Sequence, residues 1–456
     1  MSAPAGPLVA EWLNAAGEVA VVGLGKSGVA ATRLLRARGV PVYASDSAAP
    51  ERCEAWAAEL RALGADVETG GHDLARIGRA VAVVVAPGVP PEVPPLAAAR
   101  AAGVPIVAEV DLGFTELPRT RAVAITGTNG KTTTTSLVAH LMASAGIRGI
   151  AAGNIGLPLC DLALGSDPPD WVALELSSFQ LHDAPHVRPA IGVLTNLAPN
   201  HLDRYATLEE YYGDKALLLR HADVSSVWIT NEDDPAVVEM VAGVPGRHLR
   251  FSIETRSDGW LDHAAAALML DHDVLMPRAD LPLLGAHNVA NALAAALVLR
   301  ELGAAPAAIA AGLRTFKAIP HRVEPIREVN RVLWINDSKS TNVTSTEVAI
   351  AALDRPFVLL LGGRHKGEPY TRLAPRLAGR CRGVIAYGEA GPIVQRDLAG
   401  QVEVTPAGDF DDVIATARRL ARPGDAVLLS PACSSYDMFR NYEERGARFR
   451  AIVEAL

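Results

Sequence analysis

The stretch AVAITGTNGKTT, Ala122–Thr133, runs an apolar, β-branched segment into a turn with two glycines, then a lysine and two threonines. Such a strand, loop and helix start let backbone N–H groups cradle phosphates at the positive end of the helix. Lys131 offsets phosphate charge, and a threonine hydroxyl, Thr132 for preference, reaches Mg²⁺. Gly127, Thr128, Asn129, Gly130, Lys131, Thr132 and Thr133 therefore form the candidate ATP loop. The segment departs from the strict GxxxxGK[ST] form, because Ile125 stands where the first glycine belongs.

Working outward, WVALELSS (Trp171–Ser178) and AIGVLTN (Ala190–Asn196) read as further strands, and HNVANALAAALVL (His287–Leu299) as a helix. Open α/β sheets bind ligands beyond the carboxyl ends of their strands, where Glu175, Ser177, His201 and Asp203 fall. Glu175 is the first candidate for magnesium, a hard cation that prefers oxygen. Asn154, between Gly153 and Gly156, adds a polar amide. Upstream, VAVVG (Val19–Gly23), a helix from about Ser27 to Arg38, PVYASD (Pro41–Asp46) and VAVVVAPG (Val81–Gly88) repeat the βαβ rhythm. Gly23-Leu24-Gly25-Lys26-Ser27-Gly28 is a glycine turn of the kind that admits a dinucleotide, and Asp46 ends the next strand as a ribose acceptor would. Alone, that turn also fits a nicotinamide dehydrogenase, or a tight bend that binds nothing. Downstream, RVLWIND (Arg331–Asp337), FVLLLGG (Phe357–Gly363), GVIAYG (Gly383–Gly388) and AVLLSPA (Ala426–Ala432) build a third α/β block. The class is α/β, with boundaries expected near 108 and 318.

The 456 residues, 49% of them hydrophobic, suit about three domains with cores of their own. Acidic residues exceed basic ones by 51 to 43, so no broad basic field invites nucleic acid. Cys53, Cys160, Cys381 and Cys433 lie far apart without a CxxC pair, which fits neither a disulfide scaffold nor a zinc ribbon and points to a reducing cytoplasm. The first residues carry Glu11 and Glu18 where a signal peptide needs a basic start and an apolar run. Prolines interrupt the apolar stretch near Val81–Val89, and no membrane span is expected.

GTNGKTT (Gly127–Thr133), GNIGLP (Gly153–Pro158), LELSSFQL (Leu174–Leu181), NHLDRY (Asn200–Tyr205), GAHNVANALAA (Gly285–Ala295), PHRVE (Pro320–Glu324), NDSKSTN (Asn336–Asn342) and LLSPACSSYDMF (Leu428–Phe439) follow one another in the chain. In this order they resemble the Mur ligase family of peptidoglycan synthesis, and within it the member that adds glutamate. The resemblance implies a Rossmann-like UDP-binding domain (1–108), a central P-loop ATPase domain with a parallel sheet (109–318) and a Rossmann-like amino-acid-binding domain (319–456). It implies ATP-dependent joining of D-glutamate to UDP-N-acetylmuramoyl-L-alanine through an acyl phosphate, with Mg²⁺, two ions being expected.

Carried across by motif, Lys26, Ser27, Asp46, Ser47 and Gly88 match UDP positions, and Asn154 and Ser177 positions near the acceptor. Asn288, Asn291, Arg322 and Asp337 match ATP positions. Lys339, Thr341, Lys366, Ser435 and Tyr442 match the amino-acid pocket. Lys131, Glu175, His201 and Lys215 match the catalytic centre, with Thr132, Glu175, His201 and Lys215, the last as a carbamate formed with CO₂, holding metal. Lys26 replaces a usual apolar residue, Ala48 stands where a basic one occurs, and Asn200 replaces an acidic neighbour of the family histidine. A non-catalytic nucleotide-binding subunit would lose Glu175, His201 and Lys366, and all three are present. No DNPR signature of the diaminopimelate- or lysine-adding members occurs in the carboxyl block. A cytoplasmic monomer without nucleic-acid partners is expected.

Overall fold

The computed structural model describes residues 5–200 and 204–456. Its strands form three sheets. The first has β1 (Val19–Val22), β2 (Val42–Asp46), β3 (Asp66–Thr69), β4 (Ala82–Val85) and β5 (Ile106–Ala108) in the order β3-β2-β1-β4-β5. Every pairing is parallel. All four residues of β1 are buried, as expected of a parallel strand covered on both faces, so apolar side chains run on without alternation.

The second sheet contains β6 (Arg121–Thr126), β7 (Gly149–Gly153), β8 (Trp171–Glu175), β9 (Ile191–Leu194), β10 (Val227–Asn231), β11 (Arg247–Ser252), β12 (Gly259–Asp262), β13 (Ala267–Leu270) and β14 (Asp273–Pro277). Its order is β14-β13-β12-β11-β10-β9-β6-β8-β7. The pairings are parallel through β12, while β12, β13 and β14 add an antiparallel edge that sequence reading does not anticipate. Asp271, at φ 51°, turns the β13–β14 hairpin, a left-handed conformation that Asp tolerates better than most residues.

The third sheet contains β15 (Glu324–Val329), β16 (Val332–Asn336), β17 (Phe357–Gly362), β18 (Cys381–Tyr387), β19 (Val404–Pro406) and β20 (Ala426–Leu429). They lie in the order β15-β16-β20-β17-β18-β19, with only β15 antiparallel. Strand order reverses at β1, β6 and β20, and open α/β sheets bind ligands beyond the carboxyl ends of strands at such points.

Contacts divide the chain into two units. One runs to Leu281 and includes Ala290–Arg314; the other is Pro282–Val289 with Thr315–Leu456. Within the first, one apolar cluster continues from Leu34 and Leu35 of the helix Lys26–Ala37 to Leu159 and Cys160 of the helix Leu159–Ala163, joining the first two sheets. The four cysteines are free thiols. Among the described residues, no helix is long and apolar enough to cross a membrane.

Glu109 starts the helix Glu109–Thr115 in full burial. One carboxylate oxygen accepts from the Cys160 N–H at 2.7 Å, and Oε2 has no hydrogen-bond partner among the described residues. Burial pushes its pKa from 4.5 up to about 7. The folded state therefore holds the proton more tightly than the unfolded chain, and this contribution to stability is lost as pH rises from about 4.5 through about 7. Glu109→Gln should gain on the parent by up to about 3 kcal/mol between pH 5 and pH 8, followed by urea unfolding. A difference independent of pH would refute the buried-carboxyl account.

Candidate active site

β6 ends at Thr126, and the phosphate loop follows at the first reversal point of the central sheet. Gly130 caps the helix Lys131–Ser144 at φ +82°, and a Cβ there would lie 2.4 Å from Asn291 Oδ1, so only glycine fits. The end of β9 braces the loop. The Thr128 N–H donates to the Asn196 carbonyl at 2.8 Å, the Asn129 N–H to Asn196 Oδ1 at 2.9 Å, and Thr195 Oγ1 to the Asn129 carbonyl at 2.6 Å. Lys131 Nζ donates to the Gly127 and Thr128 carbonyls, each at 2.9 Å. Thr133 is buried, and Thr132 half-buried beside Lys131.

Lys215, on the helix Leu208–Ala216, is 1% exposed and donates to the same Gly127 carbonyl at 2.8 Å. Its ammonium lies 4.8 Å from the Tyr211 ring centroid. Burial, then the positive charge of Lys131, drives its pKa well below the ordinary lysine value. The amine is thus biased toward its neutral, nucleophilic form.

Glu175 closes β8 with 1% exposure. Asn154 Nδ2 donates to its Oε1 at 2.9 Å, while Oε2 is buried and has no hydrogen-bond partner among the described residues. Glu175 pairs with Ile125 of β6, the strand that leads into the phosphate loop, so its carboxylate stands at the end of the sheet where that loop begins, and an oxygen donor of this kind suits Mg²⁺. Among the described residues, no three His, Cys, Asp or Glu side chains cluster as a metal site. His201 and Asp203 lie outside the described residues. Ser177 is the N-cap of the helix Ser178–His182, in a capping box with Gln180. The spacing Ser-Ser-Phe-Gln carried that signal in the sequence.

Lys26, Ser27, Asp46, Ser47, Gly88 and Asn154 all line one cavity of about 800 Å³ at the carboxyl ends of β1, β2 and β4. Both Asp46 oxygens accept backbone N–H groups, from Leu24 and Ala48, each at 2.7 Å, tying the glycine turn to the loop after β2. His72, which no motif singles out, also lines the cavity; its Nδ1 lies 2.9 Å from Ser45 Oγ, and burial lowers its pKa.

On the helix Ala286–Glu301, Asn288 and Asn291 are both buried. Thr134 Oγ1 donates to Asn291 Oδ1 at 3.2 Å, and Asn288 Nδ2 to the Leu284 carbonyl at 2.8 Å.

In the second unit, the loops after β16, β17 and β20 meet at the reversal point of the third sheet. Lys366 Nζ donates to Thr341 Oγ1 at 3.2 Å, and Lys339 Nζ lies 5.8 Å from the Tyr442 ring centroid. The Arg364 N–H donates to the Ser434 carbonyl at 2.8 Å, joining the turn of Lys366 to the loop of buried Ser435. Asp337 accepts from the Val323 N–H at 3.1 Å and the Ser430 hydroxyl at 2.7 Å, and burial raises its pKa to about 6. Arg322 Nε is buried with no hydrogen-bond partner among the described residues.

Family models match three consecutive parts of the chain: the Mur ligase MurD-like N-terminal domain (17–108), the Mur ligase middle domain (125–299) and the Mur ligase glutamate ligase domain (321–433). The chain is 39% identical over 452 residues to a "UDP-N-acetylmuramoylalanine--D-glutamate ligase" of Myxococcus xanthus, covering 96% of this chain and 98% of that one. A protein of the same name from Salinibacter ruber is 40% identical over 453 residues, with 96% and 97% covered. Among solved structures, UDP-N-acetylmuramate-alanine ligase MurC of Thermotoga maritima shares the fold with TM-score 0.61 at 20% identity, covering 96% of this chain and 99% of that one. A pseudomurein peptide ligase type C of Methanothermus fervidus follows with TM-score 0.58, 20% identity and the same coverage.

Proposed function

The chain belongs to the Mur ligase family, and from that premise we propose that it joins D-glutamate to UDP-N-acetylmuramoyl-L-alanine, driven by ATP, in peptidoglycan precursor synthesis. We assign this work to a cytoplasmic monomer with domains at 1–108, 109–318 and 319–456. One observation carries the reading. Asn154 lines the nucleotide-sized cavity and also holds Glu175 beside the phosphate loop, so a long acceptor seated by its UDP end would extend toward the phosphoryl-transfer centre.

The reaction is uphill until ATP activates the acceptor's carboxylate. A carboxylate oxygen attacks the γ-phosphorus, the bond to ADP breaks, and an acyl phosphate forms. The amino group of glutamate then attacks the acyl carbon, loses a proton, and phosphate leaves with its oxygen. Lys131 swings from the loop carbonyls onto the phosphates and reduces the repulsion between two anions. Glu175, Thr132 and His201 would hold Mg²⁺, which supplies further charge neutralisation there. Asn288, Asn291, Arg322 and Asp337 are assigned to ATP. Lys26, Ser27, Asp46, Ser47 and Gly88 are assigned to the UDP end, and Ser177 to the acceptor near Asn154. Lys215, whose burial lowers its pKa, suits carbamylation: its unprotonated Nζ attacks the carbon of CO₂, an N–C bond forms, one C–O π pair moves onto oxygen and the Nζ proton leaves to solvent, giving a carbamate that would offer an oxygen donor to a second Mg²⁺.

Phosphate release from ATP, measured with UDP-N-acetylmuramoyl-L-alanine against a panel of D- and L-amino acids, tests the reading. Release with D-glutamate alone is expected; equal release with L-glutamate, or release with another amino acid, would reject it. Lys339, Thr341, Lys366, Ser435 and Tyr442 form the proposed amino-acid pocket. Lys366→Ala should raise KM for D-glutamate about thirtyfold and leave KM for ATP within about twofold, because a cation facing the side-chain carboxylate acts on that substrate alone. Comparable rises in both constants would count against this division.

A further inference from the structure

The turn that carries Lys366 follows β17 and reads Gly363-Arg364-His365-Lys366-Gly367-Glu368-Pro369-Tyr370. Gly363 and Gly367 take φ +127° and +87°, values open to glycine, so the backbone by itself constrains the exposed Lys366 little. One end of the turn is fixed. Besides the bond from the Arg364 N–H to the Ser434 carbonyl, Ser434 Oγ donates to the Arg364 carbonyl at 3.3 Å. From His365 to Glu368 the backbone makes no hydrogen bond among the described residues.

A side chain closes the turn instead. His365 Nδ1 lies 3.0 Å from Tyr370 Oη, and the two ring centroids are 5.4 Å apart. Tyr370 opens the 3₁₀ helix Tyr370–Leu373 and is 1% exposed. Its hydroxyl also lies 2.8 Å from Sγ of Cys433, a fully buried residue two positions before Ser435. A tyrosine hydroxyl has one proton and two lone pairs, so between an imidazole nitrogen and a thiol it donates to one and accepts from the other. Burial raises the pKa of Tyr370 and lifts that of Cys433 from 9.0 to about 11, so both keep their protons at neutral pH and place no negative charge beside Lys366. His365, Tyr370 and Cys433 thus tie the Lys366 turn to the loop after β20 a second time, beyond the backbone contact at Arg364.

We propose that the Tyr370 hydroxyl, bridging His365 and Cys433, fixes where Lys366 stands relative to Ser435 and thereby sets the affinity for the amino-acid substrate. Tyr370 and His365 are positioning residues that act through Lys366. A shift of about 1 Å in such a cation is enough to weaken its hold on a carboxylate. The proposal rests on the assignment of Lys366 and Ser435 to the amino-acid pocket.

The test uses two single variants of the full chain. Tyr370→Phe keeps the buried ring and removes only its oxygen, and His365→Ala changes a half-buried turn residue, so urea unfolding should find both folded. Each should raise KM for D-glutamate about tenfold, with kcat and the KM values for ATP and the UDP-linked acceptor within about twofold. Adding Tyr370→Phe to Lys366→Ala should raise KM for D-glutamate by no more than about twofold over Lys366→Ala alone, because the lysine being positioned is already gone. A purely structural role would multiply the two effects. An unchanged KM for glutamate in the single variants, an equal rise in all three KM values, or a further tenfold rise on the Lys366→Ala background overturns the proposal. If Lys366→Ala raises KM for glutamate and Tyr370→Phe does not, the bridge falls and the pocket assignment stands. If Lys366→Ala itself leaves that KM unchanged, both fall.

Discussion

Replacing Lys131 with alanine is expected to lower turnover about a thousandfold while the protein stays folded. The side chain is half-buried and donates to two carbonyls of its own loop, so its loss removes local loop contacts and no part of an apolar core. The loss falls on the transition state, where a carboxylate and a triphosphate approach each other and one nearby cation offsets much of their repulsion. Raising ATP should therefore not restore the rate, because the missing interaction is stronger in the transition state than in the bound substrate. Phosphate release at saturating ATP, with circular dichroism as the control for folding, measures this. Near-normal turnover would remove the phosphate loop from the mechanism.

Lys215→Ala should be nearly as severe, with turnover down about several hundredfold, and partly rescued by acetate by about tenfold. Its stability effect has a definite sign. A lysine whose pKa is depressed on folding binds fewer protons folded than unfolded, so its burial opposes folding at neutral pH, and that penalty fades only as pH rises toward the ordinary lysine value. Alanine removes that penalty while losing the packing and the bond to the Gly127 carbonyl, so the variant should compare more favourably with the parent at pH 7 than near the ordinary lysine pKa. Acetate offers a small carboxylate for the vacated space, in place of the carbamate oxygen. Full activity of Lys215→Ala without added acid would exclude the carbamate and leave the ligase assignment intact. Partial rescue by acetate but not by ethanol would tie the effect to oxygen charge.

The phosphate loop was legible because its chemistry is local. Ten or so consecutive residues specify a strand end, a glycine turn and a helix start, and backbone geometry does the rest. The glycine turn before Lys26 and the three α/β blocks were legible for the same reason, since parallel strands buried on both faces read as unbroken apolar runs. Ser177 carries a second local signal, because its spacing to Gln180 specifies the capping box that starts the helix Ser178–His182.

Other features had no local signature. The edge strands β12–β14 are four or five residues long, and their short runs do not distinguish an antiparallel edge from a loop. Asp46 ends its strand as a ribose acceptor would, and only the fold shows both its oxygens already engaged by amides of Leu24 and Ala48. Lys215 lies on a helix with acidic and aromatic neighbours, and only tertiary packing against the Gly127 carbonyl makes it a buried amine of altered protonation. Sequence periodicity specifies which face of an element is apolar, so it determined the α/β class and the places where strands run into glycine turns. Which polar groups meet across the carboxyl ends of neighbouring strands depends on strand order, and strand order is decided by long-range packing that no contiguous stretch of residues encodes.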